Sequence, residues 1–269
     1  MYNFSYHQPT TVRQAANLLA KNPEGTLLAG GHSLLPVMKQ RLASPTAIID
    51  ISRIPELSSI EVKGRSVVVG AGTTHSKVAV SADVQKVLPA LAALAAQVGD
   101  PHVRHRGTIG GSVANNDPNA DYPAGCLGLG ATIVTNKRKI SSDDFFQGMF
   151  TTALEPDEII TKVQFPIAQK AAYQKFKHPA SGFALVGVFV SKRGSDIRVA
   201  VTGAGANGVF RVPEFEAALK TRFHPKSLEG LSVSVGDMSN DIHAGPEYRA
   251  HLVGVLARRA VADANVKRG

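Results

Sequence analysis

The chain has 269 residues, enough for one large domain or two ordinary ones, and its 43% hydrophobic and 19% charged residues exclude intrinsic disorder. Its single cysteine, Cys126, excludes an intramolecular disulfide, a cysteine-held iron–sulfur cluster in this chain and the usual structural zinc site, and it suits a reducing cytosol. The net charge of +9 comes from scattered basic residues without interleaved aromatics, so no nucleic-acid partner is expected, and neither a signal peptide nor an apolar stretch of membrane-spanning length is found.

Residues 12–21 read as a first helix, capped by Thr10 or Thr11 and closed at Asn22-Pro23. TLLA (26–29) reads as a short strand, SLLPVMKQRL (33–42) as a helix and TAIIDIS (46–52) as a second strand, an α/β alternation. LSSIEVKG and RSVVVGA form a predicted hairpin across Lys63-Gly64, and VQKVLPALAALAAQV (84–98) is helical. A glycine-rich passage at 107–121 interrupts. CLGLGATIVT (126–135) then runs from helix into strand, and DEIITKVQFP (157–166) is a further strand. Pro166 and the polar AQKAA stretch mark a boundary, giving predicted domains 1–166 (subdomains of about 1–55 and 56–166) and 167–269. In the last domain ALVGVFVS and DIRVAVTG pair across Arg193-Gly194, and residues 246–265 carry apolar positions at helical spacing.

Two stretches carry chemistry. LAGGHSL (28–34) joins a strand to a helix through two glycines, and GTIGGSVANNDPNAD (107–121) repeats the pattern of a Gly-Gly pair followed by a small hydroxyl residue. Such turns can line up backbone N–H groups as an anion-binding nest, or serve only as structural turns. Neither fits the GxGxxG fingerprint or a P-loop. Two separate nests suit a diphosphate held between two subdomains.

AGGHSLLP (29–36) and TIGGSVANNDPNAD (108–121) resemble the two pyrophosphate-binding motifs of the FAD-binding medium subunits of molybdenum hydroxylases, the carbon monoxide dehydrogenase type more than the xanthine dehydrogenase flavin domain. The similarity runs from FSYHQPTTVRQAANLL to EYRAHLVGVLARRAV, essentially the whole chain. It implies an α+β fold: a two-subdomain FAD-binding domain of the vanillyl-alcohol-oxidase-like type, then a small α+β C-terminal flavoprotein domain. By this resemblance Leu28, Ala29, Gly30, Gly31, His32, Ser33 and Leu34 form the first FAD-binding turn, and Thr108, Ile109, Gly110, Gly111 and Ser112 the second. Asn115 reaches the diphosphate region, Asp121 the adenosine ribose, Ile160 lines the flavin and Lys177 lies near the isoalloxazine. Phe183 matches a position where relatives can carry a tyrosine against the flavin, keeping the ring without the hydroxyl. No catalytic residue and no metal ligand is assigned to this chain.

The implied role is electron transfer: FAD here, molybdopterin on a large partner subunit, two [2Fe–2S] clusters on a small one, in a heterotrimer that dimerises. The implied location is the cytoplasm, with contact to the inner face of the membrane through the complex left open. Two alternatives remain at this stage: a self-contained flavin oxidase, in which His32 could carry the flavin covalently, and a non-enzymatic nucleotide- or anion-binding module. His102 and His105 are expected in loop structure or in contact with the cofactor or a partner, and Cys126 as a buried small residue. Asp143-Asp144 and Glu155–Glu158 are expected as helix-start and turn carboxylates.

Overall fold

The computed structural model describes residues 1–266. β1 (Ser5–His7), α1 (Val12–Lys21), β2 (Thr26–Leu28), α2 (Leu34–Lys39) and β3 (Ala47–Asp50) form the first unit, a three-stranded parallel sheet in the order β1-β3-β2. Of the two threonines, Thr11 caps α1, accepting from Gln14 N. The central strand β3, AIID, is buried throughout, as a parallel strand covered on both faces must be. β1 is exposed and its SYH text has no apolar alternation, so it carries no sequence signal.

β4 (Ile60–Lys63) and β5 (Ser66–Gly70) make the expected hairpin, with Gly64 at φ +57° in the turn. Six helices follow: α3 (His75–Val80), α4 (Ala82–Val87), α5 (Pro89–Ala96), α6 (Pro101–Arg106), α7 (Ile109–Asn115) and α8 (Asp121–Leu129). β6 (Thr132–Thr135), β7 (Lys139–Ser141), α9 (Ser142–Phe145) and the ribbon β8 (Phe146–Gly148) with β9 (Thr151–Thr152) lead to β10 (Ile160–Pro166). β10 inserts between β5 and β6, so the second sheet runs β4-β5-β10-β6-β7. His102 and His105 lie on the helix α6 and not in a loop: Asp100 caps it and Pro101 opens it, both standard helix-start signals.

β11 (Lys170–Lys177), β12 (Ala184–Arg193), β13 (Asp196–Thr202) and β14 (Phe210–Arg211) form an antiparallel sheet in chain order, followed by α10 (Pro213–Thr221) and α11 (Pro246–Asn265). β12 is buried on both faces, which is why ALVGVFVS is a continuous apolar run. Val186, Val188 and Val190 join the core shared with α11, whereas Phe189, with Tyr173 and Ala200, joins the core of the second unit. The last sheet is thus wedged between its own helix α11 and the helices α5 and α8 of the second unit. Cys126 is buried in the core of the second unit, where burial pushes its thiol up. Among the described residues no helix is long and apolar enough to cross a membrane.

Candidate functional site

A cavity of about 680 Å³ opens between the first unit, the second unit and the 178–183 loop, within the roughly 300–1,000 Å³ usual for small-ligand sites. Its lining includes Leu28, Ala29, Gly30, Gly31, His32, Ser33, Leu34, Thr108, Gly110, Gly111, Ser112, Asn115, Asp121, Ile160 and Phe183. The fold therefore brings together two motifs that lie far apart in sequence. Ile109 and Lys177 fall outside the lining. Ile109 points into the core as an anchor of α7. Lys177 follows a register shift in β11 and is exposed, and Lys175 is the lysine turned inward.

The glycines of the two turns let backbone meet backbone. A methyl group on Gly30 would lie 2.3 Å from the Arg106 carbonyl oxygen and 2.7 Å from Gly107 Cα, so only glycine allows the first turn to touch the start of the second. Gly110 is equally confined, with Ala71 Cβ at 2.5 Å from the position of its missing methyl. Gly111 has more room, meeting only Thr108 Oγ1 at 3.0 Å and Ala29 Cβ at 4.0 Å, and its open side faces the first turn.

The two turns differ in their hydrogen bonding. In the first, Gly31 adopts φ +76° and the chain enters α2 with no side-chain cap. Among the described residues, the N–H groups of Gly30, Gly31, His32, Ser33 and Leu34 have no acceptor. In the second, the four successive N–H groups from Ile109 to Ser112 are all used. Ile109 N–H donates to Thr73 O (3.0 Å), Gly110 N–H to Ala71 O (2.8 Å), Gly111 N–H to Thr108 Oγ1 (3.1 Å) and Ser112 N–H to Thr108 O (3.0 Å). The nest expected at 108–112 is therefore a conventional capped helix start, because Thr108 and the 71–73 backbone satisfy it from within.

Asp121 opens α8 at the cavity floor and is buried. Tyr173 Oη donates to Asp121 Oδ1 at 2.5 Å, and Lys175 Nζ sits 2.9 Å from Oδ2 while also donating to Gln97 O at 3.0 Å. Burial pushes the Asp121 carboxyl up and the Lys175 amine down, and their contact opposes both shifts. The backbone before Asp121 is tied to the last sheet as well: Thr202 Oγ1 donates to Pro118 O and Ala120 O, and Gly203 N–H to Pro118 O.

Phe183 is 47% exposed at the cavity mouth, so it is not an ordinary core aromatic. His32 is exposed within the lining.

Three lining residues escape sequence reasoning. His75 is 4% exposed, and burial, with the charges of His32 and Arg104, lowers its pKa to about 4. Glu158 is buried; hydrogen bonds from Arg138 (2.9 and 3.0 Å) hold its carboxyl down at about 2, helped by Thr135 Oγ1 at 2.6 Å. Asp117 is raised by burial. The sequence marks Glu158 only as a turn carboxylate, because its arginine lies 20 residues away across the β6–β7 turn. Asp143, by contrast, pairs with Arg198 and Arg211 far from any acid–base partner.

Residues 2–168 match the family model described as the FAD binding domain in molybdopterin dehydrogenase. The chain is 35% identical over 274 residues to the carbon monoxide dehydrogenase medium chain of Hydrogenophaga pseudoflava, covering 96% of each chain. It is 36% identical over 277 residues to the nicotine 6-hydroxylase medium subunit of Paenarthrobacter nicotinovorans, covering 97% of each. The solved carbon monoxide dehydrogenase from Hydrogenophaga pseudoflava lacking the Mo-pyranopterin moiety superposes with a TM-score of 0.88 at 35% identity, covering 98% of this chain and 97% of that one.

Proposed function

Because the chain belongs to the family of FAD-binding domains of molybdopterin dehydrogenases and is an oxidoreductase subunit, we propose that it holds FAD in the cavity between its two glycine turns and passes electrons from a partner's [2Fe–2S] clusters to an external acceptor. The observation that carries this reading is the row of five unbonded N–H groups from Gly30 to Leu34, on residues that line the same cavity as Gly111. The fit to a diphosphate is chemical: fixed backbone donors, the uncapped Ser33 hydroxyl and the nearby Arg104 guanidinium.

In this reading residues 30–34 bind the diphosphate, and Gly111, Ser112 and Asn115 close the opposite wall. Asp121 accepts from the adenosine ribose with the lone pairs that Tyr173 and Lys175 leave free. Leu154, Ile159 and Ile160 give an apolar wall, and Phe183 covers the mouth with an aromatic face that excludes water. Bound flavin would supply redox chemistry able to exchange one or two electrons. The protein's part is to bind it, orient it and set its surroundings. Molybdopterin and the iron–sulfur clusters belong, in this proposal, to a large and a small partner subunit of a heterotrimer that dimerises.

The test is direct. The purified chain should show flavin absorption bands and release all of its FAD into the supernatant on acid precipitation. Flavin retained in the washed pellet would point to a covalent link at His32 and to the oxidase alternative. A flavin-loaded, molybdenum-free preparation should oxidise no aldehyde, purine or heterocycle by itself; substrate-dependent turnover would overturn the subunit reading.

A further inference from the structure

His75 lines the cavity as the first residue of α3, and no described residue bonds either of its ring nitrogens. Nδ1 is sealed from solvent without a partner, beside the Tyr122 ring whose centroid lies 5.3 Å away. The other ring edge faces the junction of the two turns: a methyl group on Gly107 would lie 2.6 Å from His75 Nε2. Gly107 is also where the first turn makes its close approach, and the His75 N–H donates to the Gly107 carbonyl at 3.0 Å. The ring therefore packs against the meeting point of both motifs, with its backbone bonded there.

Its surroundings keep the ring neutral at neutral pH. A neutral imidazole carries one N–H and one lone pair. Orphaned buried N–H groups are rarer than under-satisfied acceptors, so the sealed Nδ1 takes the lone pair and Nε2 the proton. That donor has no acceptor in the chain and, unlike Nδ1, is not sealed off, so a group bound in the cavity that His75 lines can reach it. The nearby Arg104 guanidinium suits a negatively charged acceptor.

We propose that His75 is a further cofactor-binding residue, donating its Nε2–H to an anionic oxygen of the diphosphate held between the two turns. This rests on the FAD reading above. The test uses the full chain labelled with ¹⁵N-histidine, titrated with FAD. The expected result is a neutral Nε2–H tautomer whose proton resonance moves downfield as FAD binds, and a Kd for FAD that rises about 10- to 100-fold in His75→Leu. The gap in affinity between ADP and adenosine should narrow in His75→Leu, with His75→Gln, which keeps an N–H donor, lying between. If the wild-type chain binds FAD while the Nε2–H signal stays unmoved, or if His75→Leu loses ADP and adenosine equally, the inference falls and the cofactor reading stands. If the wild-type chain does not bind FAD, both fall. Should His75→Leu fail to fold, the wild-type resonance alone decides.

Discussion

The two glycine turns read alike in sequence and behave differently in structure. Gly30-Gly31-His32-Ser33 enters a helix without a side-chain cap and leaves five successive N–H groups unbonded. Gly110-Gly111-Ser112 enters a helix under the Thr108 cap, with Thr73 and Ala71 accepting from its first two residues. The first turn presents free donors, whereas the second ties up its own within the fold. A Gly-Gly-hydroxyl pattern thus reports close backbone approach; whether the donors remain free depends on what precedes the helix.

The contrast can be broken most severely where the turns touch. Gly30→Ala drives a methyl group into the Arg106 carbonyl, which is backbone and cannot swing aside. It should lower stability by about 3 kcal/mol in urea unfolding and abolish flavin binding. Gly111→Ala meets only the edge of the Thr108 hydroxyl, so it should weaken FAD binding with a much smaller change in stability. Equal losses of stability in the two variants would erase the distinction between the two turns.

Acid should loosen the same junction through His75. The folded ring takes a proton near pH 4, whereas an unfolded histidine does so near 6.5. Between those values the unfolded chain binds the extra proton, so stability is complete above pH 6.5 and declines as the pH falls toward 4. Chemical unfolding of the apo chain at pH 7 and pH 5 should differ by about 2 kcal/mol from this group, and His75→Leu should flatten that difference.

The gentlest test compares the two hydroxyls. Thr108→Ala removes a helix cap and should destabilise the apo chain by about 1 kcal/mol. Ser33→Ala removes no cap, so it should leave apo stability within about 0.5 kcal/mol while weakening FAD binding. Thermal melts with and without FAD separate the two effects.

Local signals made much of this legible. Helix α1 falls where its cap and its Asn-Pro stop place it, and the hairpins at Lys63-Gly64 and Arg193-Gly194 form as their turn residues require. Most residues assigned to the site by resemblance line one cavity. What escaped depends on distant pairing. β10 slots between β5 and β6, and nothing local to ITKVQFP specifies that partner. His75 carries no motif and becomes notable only because Gly107 is folded against it. Lys175 and Lys177 look interchangeable in KFKH, yet a register shift turns one inward and leaves the other exposed. The saturation of the second turn by Ala71 and Thr73 likewise requires the bridge between Thr74 and Thr108, a pairing across 34 residues that no short window contains.

The match to the FAD-binding family model ends at residue 168, but the floor of the cavity is held by groups beyond it. Tyr173 and Lys175 take up Asp121, while Thr202 and Gly203 hold the backbone at Pro118 and Ala120. The unit that can be inherited, transplanted or engineered is therefore the whole chain. A graft of residues 1–168 onto a foreign C-terminal sheet would carry both glycine signatures intact and leave a buried aspartate with neither its tyrosine nor its lysine.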